Sequence, residues 1–161
     1  MNRKEGLNNE PRALIERIHN ALTSTREEIM KSVLLVDDDS ILLLGIGVRL
    51  KSMGYVVFTA KDAVSAVSAV VKNDPDVVVL DVSLPAGDGF LVAGRLRNLV
   101  GSAATPIIFI TASENPQLRE RAANLGAAAF LIKPFDATTL ADAIETALSP
   151  GDFRRALASG E

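Results

Sequence analysis

The chain has 161 residues, a length that predicts one domain, and its apolar content of 48% suffices for one core. One Tyr, six Phe and no Trp make that core mainly aliphatic, and a net charge of −3 argues against a partner bound through a nucleic-acid backbone, which calls for a basic face. The absence of Cys excludes disulfides, thiolate zinc sites and thiol chemistry, and it fits a reducing compartment.

Residues 1–30 read as a helical extension. Met1–Gly6 lacks the apolar stretch of a secretory signal. Pro11 opens a helical pattern with Leu14, Ile15, Ile18 and Leu22 on one face. The polar triplet Thr23-Ser24-Thr25 is expected to interrupt it, with Thr25-x-x-Glu28 capping a further turn. The stripe of Leu14, Ile18 and Leu22 is expected to pack, either on the main domain or on a second copy. A homodimer through the extension is therefore one expectation. His19, in Arg-Ile-His-Asn, lacks the charged surroundings of a phosphodonor and is read as a solvent-facing helix residue.

From Lys31 the pattern alternates. Val33–Val36 is a short apolar run bounded by charge, as in a strand covered on both faces. A helix over Ser40–Met53 ends at Gly54; Tyr55–Thr59 is a strand; Asp62 caps a helix to about Lys72, whose Val and Ala stripe over 63–71 is read as a buried face. Asn73–Asp76 is a turn and Val77–Leu80 a strand. The loop Ser83–Gly89 precedes a helix from Phe90 to about Leu99, and Thr105-Pro106 introduces the strand Ile107–Ile110. Asn115-Pro116 starts a helix closed by Gly126, Ala127–Ile132 is the last strand, and Asp136 caps a helix ended by Ser149-Pro150-Gly151. Strands alternating with helices predict a doubly wound parallel α/β sheet over residues 31–149, with 150–161 as a tail. No stretch of about 18 apolar residues could span a membrane. A cytoplasmic protein without membrane contact is the expectation.

Four of the five runs end on a reactive or charged side chain, namely Asp37-Asp38-Asp39, Asp81, Thr111 and Lys133. In open α/β sheets ligands bind at the carboxyl ends of the strands. Each close pair of carboxylates there costs on the order of 4 kcal/mol at an effective dielectric of 20, and a cation relieves that repulsion. Oxygen ligands without His or Cys select Mg²⁺ or another hard divalent ion. Capping by Asp39 or Ser40 uses at most one of the aspartates and leaves the others unexplained. Asp81 follows an apolar run directly and needs a partner, for which Lys133 is the candidate. A carboxylate, a metal and a lysine are what phosphoryl transfer to an aspartate requires, and the Thr111 hydroxyl could donate to the attached group.

The segments Val-Asp-Asp-Asp (36–39), Val-Leu-Asp-Val-Ser-Leu-Pro-Ala-Gly-Asp-Gly (79–89), Ile-Thr-Ala (110–112) and Phe-Leu-Ile-Lys-Pro-Phe (130–135) together resemble the receiver domains of two-component response regulators. The resemblance covers about residues 31–149 and implies a flavodoxin-like sheet of order 2-1-3-4-5, a strand order that belongs to the family. It implies Asp81 as phosphoacceptor, and Mg²⁺ or Mn²⁺ held by Asp37, Asp38, Asp81 and the Ser83 carbonyl. Lys133 would contact the phosphoryl group and precede a cis Pro134. Thr111 and Phe130 would be the switch pair, with the Phe130 rotamers differing by packing alone. Ser83 and Ser113, at positions that tune phosphoryl lifetime, are small and neutral.

The implied partners are a sensor histidine kinase or histidine phosphotransfer protein and a downstream protein target. The implied chemistry is self-phosphorylation and self-dephosphorylation, without further enzymatic activity. The final helix has Asp142 and Glu145 but no Lys or Arg, which argues against dimerisation through a basic last helix. The competing readings are a docking module that takes no phosphate, a receiver fragment of a larger signalling protein, and a haloacid-dehalogenase-type phosphatase. The last is disfavoured because Ile41 replaces the expected Thr or Val and because no acid at a strand end follows Lys133. Gly45-x-Gly47 lies within a helical run, so nucleotide binding is disfavoured as well.

Overall fold

The computed structural model describes residues 10–27 and 30–149. The chain divides into two units, residues 1–30 and residues 31 onward. In the first unit, helix α1 spans Glu10–Glu27. It runs unbroken through Thr23–Thr25, contrary to the expected interruption: helix propagation tolerates three residues of modest propensity once a nucleus exists. Glu28 of the expected cap lies outside the described residues. Leu14, Ile15, Ile18 and Leu22 do share one face, and all four are exposed.

The second unit runs β1 (Ser32–Val36), α2 (Ser40–Ser52), β2 (Val56–Ala60), α3 (Ala63–Asn73), β3 (Val77–Asp81), β4 (Ser83–Leu84), β5 (Gly87–Asp88), α4 (Gly89–Asn98), β6 (Ile107–Thr111), α5 (Pro116–Asn124), β7 (Ala129–Ile132) and α6 (Ala137–Leu148). Strands β2-β1-β3-β6-β7 form one sheet whose pairings are all parallel. This is the expected 2-1-3-4-5 order once the short antiparallel hairpin β4–β5 is counted. That hairpin, within the segment read as a loop, turns at Pro85 and Ala86, with Ala86 at positive φ.

Alternation along the buried strands divides the core in two. Leu34, Val36, Val78, Leu80, Ile107 and Phe109 face α3, α4 and Ala122 of α5, while Val33, Leu35, Val77, Val79, Ile108 and Ile110 face α2 and α6. The stripe of α3 is less buried than the sequence suggested. Ala63, Ala66 and Val70 are buried but Val64 and Val71 are exposed, because a 3.6-residue period cannot turn every position of an apolar run inward.

Hydrogen-bonding side chains start the helices where the sequence placed them. Asp39 accepts from Ile41 and Leu42, Asp62 from Ser65, Asn115 from Gln117 and Asp136 from Thr139. The Gly45-x-Gly47 pair lies inside α2, which removes it as a phosphate-binding loop.

Candidate functional site at the carboxyl rim

Strands β1 and β3 are neighbours, so Asp37, just past β1, and Asp81, the last residue of β3, meet at the switch point of the sheet. Both are buried. The three aspartates after β1 have separate tasks. Asp39 caps α2, while Asp37, Asp38 and Asp81 bring carboxylate oxygens within 4.8 Å of one another. Asp37 is tied on both oxygens: Oδ1 accepts from the Asp39 N–H at 2.9 Å and Oδ2 from Lys133 Nζ at 2.5 Å. Asp38 is the exposed member of the cluster.

Lys133 follows β7 and reaches across to both buried acids, donating to Asp81 Oδ2 at 2.8 Å. The ion pair with Asp81 expected from the sequence is therefore present, and Asp37 shares the same ammonium. Burial works against the ammonium, but the hydrogen bonds and charges of Asp37 and Asp81 outweigh it and raise its pKa above the usual lysine value. For Asp81 burial dominates. It pushes the carboxyl up, the bonds from Lys133 and the Ser83 N–H pull it down, the Asp37 charge pushes it up again, and the net shift is upward. Two buried acids thus share one cation, and the site carries excess negative charge.

Thr111 ends β6 beside Asp81, which pairs with Ile110 in register. It is buried, its carbonyl accepts from the Lys133 N–H at 2.7 Å, and its Oγ1 accepts from the Ser113 N–H at 3.1 Å. Ser83 is exposed at the start of β4 and donates its N–H to Asp81 Oδ1 at 2.9 Å. Lys133–Pro134 is cis, as the resemblance implied. Phe130 lies one strand over from Phe109, half-buried.

Two further residues carry no chemical signature and were missed from the sequence. The absent Cβ of Gly89 would stand 2.1 Å from the Asp81 carbonyl oxygen, so only glycine lets α4 begin against the end of β3. Arg119 on α5 stacks over Phe130, its guanidinium 4.9 Å from the ring centroid. Phe130 is therefore held by a cation as well as by packing, which corrects the expectation of packing alone.

A doubly wound parallel domain with buried acids, a lysine and a hydroxyl on its carboxyl rim defines a class that handles charged ligands there. Residues 33–145 match the response regulator receiver domain model. The chain belongs to that family. It is 33% identical over 128 residues to the transcriptional regulatory protein PdtaR of Mycobacterium tuberculosis, covering 79% of this chain and 61% of that protein. Against the DNA-binding dual master transcriptional regulator RpaA of Synechocystis the identity is 35%, over 66% of this chain and 44% of the relative. The chain thus spans less than two thirds of these relatives. Among solved structures, the chemotaxis response regulator CheY4 of Vibrio cholerae superposes with a TM-score of 0.70 at 31% identity, over 74% of this chain and 99% of CheY4. The non-phosphorylated HemR receiver domain of Leptospira biflexa gives 0.68 at 35%, over 74% and 94%.

Proposed function

We propose that residues 31–149 accept a phosphoryl group on Asp81 from a histidine kinase or histidine phosphotransfer protein. The reading further holds that they signal by docking a downstream protein or by passing the phosphate on. The observation that carries this is the shared lysine: Asp81 is buried and divides the Lys133 ammonium with Asp37, while Asp38 stands in the same cluster. An Asp81 carboxylate oxygen attacks phosphorus, the bond from phosphorus to the donor imidazole nitrogen breaks, and its electron pair leaves with the imidazole. Lys133 then turns from a carboxylate partner into a partner of the phosphoryl oxygens. The Thr111 hydroxyl is placed to donate to them, and Phe130 follows into the space behind it.

Three oxygen ligands within 4.8 Å, without nitrogen or sulfur, fit a hard divalent cation. Asp37, Asp38, Asp81 and the Ser83 carbonyl would hold Mg²⁺ or Mn²⁺. Once bound, the ion supplies the positive charge that lets an anionic donor approach an anionic acceptor. The chain's own chemistry ends with gain and loss of this phosphate. The exposed apolar residues Ile41, Leu44 and Val48 of α2 would offer the donor a contact surface.

Residues 1–30 form an extension whose exposed stripe suits pairing with a second copy, and residues 150–161 form a tail. Direct nucleic-acid contact is no part of the reading, given the net charge of −3. No helix among the described residues is long and apolar enough to cross a membrane, and a cytoplasmic setting agrees with the proposed donor.

The test is incubation with Mg²⁺ and acetyl phosphate followed by intact mass. An addition of about 80 Da, one covalent phosphoryl group, is expected in the wild type and absent in Asp81→Asn. No addition under conditions where Mg²⁺ binds would overturn the reading.

A further inference from the structure

Helix α5 is attached to the domain in an unusual way. Its buried residue is Ala122, with Leu118 half-buried beside it, so the apolar footing is small. Two arginines flank that footing, and each lies over an aromatic ring. Arg121 stands 4.3 Å from the centroid of Phe90 and pairs with Asp88 at 3.5 Å, while Arg119 covers Phe130 at 4.9 Å. The two rings differ in what lies beneath them. Phe90 is buried and braced by Phe109, with centroids 5.0 Å apart, so Arg121 rests on a fixed surface. Phe130 is half-buried on β7, the strand beside Thr111. Arg121 therefore anchors the helix, whereas Arg119 engages a ring that must move if the switch operates.

We propose that Arg119 is a positioning residue for the switch, a cation that holds Phe130 in its resting place through the ring face and releases it when Thr111 is drawn to the phosphoryl group. This rests on the receiver reading of Thr111 and Phe130. The inward movement of Phe130 withdraws the ring from the guanidinium, so the contact weights the equilibrium toward rest and ties the position of α5 to the state of β7. A cation–ring contact at an exposed site changes such an equilibrium by about two- to fivefold.

The experiment is NMR of the full chain with ¹³C-labelled phenylalanine, the Phe130 ring signal being assigned with Phe130→Leu. Wild type, Arg119→Gln, Arg119→Lys and the exposed control Arg95→Gln are compared first without a phosphodonor and then with Mg²⁺ and acetyl phosphate. In the absence of donor, Arg119→Gln is expected to move the Phe130 signal toward its phosphorylated position, by about two- to fivefold in population. Arg119→Lys keeps a cation and recovers part of the wild-type position, and Arg95→Gln leaves the signal in place. A Phe130 signal unmoved in Arg119→Gln, or moved away from the phosphorylated position, overturns the proposal even where the wild type responds normally to acetyl phosphate. A wild type that gains no phosphoryl mass and shows no Phe130 movement fails the receiver reading itself, and the proposal goes with it.

Discussion

The two ends of the sheet place polar groups at similar depth and settle them differently. At the amino ends of the strands two charged side chains are held by neutral groups. Arg97 donates to the carbonyls of Ala103, Thr105, Leu125 and Gly126, which precede β6 and β7, and Asp76, just before β3, accepts from the N–H and hydroxyl of Ser32, the first residue of β1. At the carboxyl ends Asp37 and Asp81 divide one ammonium and Asp38 has none. No buried side-chain nitrogen or oxygen among the described residues lacks a hydrogen-bond partner, so the contrast lies in charge and not in missing bonds. At one end the polar groups are satisfied by backbone and hydroxyl partners. At the other, acids outnumber the cation that they share, and a further positive charge would relieve their repulsion.

Asp81→Asn bears most directly on the difference between the two ends. It should remove all phosphoryl uptake, read by intact mass, while raising stability to urea by about 1 kcal/mol, because a buried charge disfavoured by its surroundings is gone. If stability instead fell by several kcal/mol, Asp81 would be a structural acid and the rim no different from the amino end. Gly89→Ala comes next, at a cost of about 3 kcal/mol, since its Cβ meets the Asp81 carbonyl at 2.1 Å and the start of α4 must shift. Slower phosphorylation should accompany the loss, as the acceptor moves with its backbone.

At the opposite end, Arg97→Met keeps the stem and removes the donors. Urea unfolding should show a loss of about 2–3 kcal/mol, with stranded carbonyls as the cause, and phosphoryl uptake at 25 °C should be unchanged. The burial that lowers the Arg97 pKa is the same burial that leaves those carbonyls without water when the guanidinium is removed. A slowed uptake would mean that the two ends are coupled through β6 and β7.

These opposed ends were unequally legible in the sequence. The carboxyl rim was visible because reactive residue types fell at the ends of four apolar runs, and parallel strands carry such residues to one place by topology alone. The rim's hydroxyl and lysine were found in this way, and so were its paired acids. The amino end was invisible, since Arg97 sits in the last turn of α4, where a basic residue is ordinary, and its partners are backbone carbonyls, which have no signature in residue identity. The same reason hid Gly89, whose necessity depends on where the chain folds back, and Arg119, whose partner is 11 positions away on another element. Strand boundaries differ by one residue at β1, β2, β3 and β6 and by two at β7, since polar residues such as Ser32, Asp81 and Thr111 extend the ladder beyond the apolar run. The β4–β5 hairpin is too short for alternation to announce it.

Lys133→Met tests whether one cation is what the two acids lack. In chelator it should lose about 2 kcal/mol, since it leaves Asp37 and Asp81 facing each other in a buried site. Millimolar Mg²⁺ should restore more of that loss than it adds to the wild type, because an ion then takes over charge the lysine no longer supplies.

The smallest effect is the most discriminating. Asp38 is exposed and its side chain makes no hydrogen bond among the described residues, so Asp38→Ala in chelator should change stability by less than about 0.5 kcal/mol. A ligand present at ten times its dissociation constant stabilises by about 1.4 kcal/mol, and a thermal shift of that size on adding Mg²⁺ is expected for the wild type. The shift should shrink or vanish in Asp38→Ala, whose site retains the two acids already engaged by Lys133. An equal Mg²⁺ shift in both proteins would place the ion elsewhere, and the excess negative charge of the rim would then need an explanation other than cation binding.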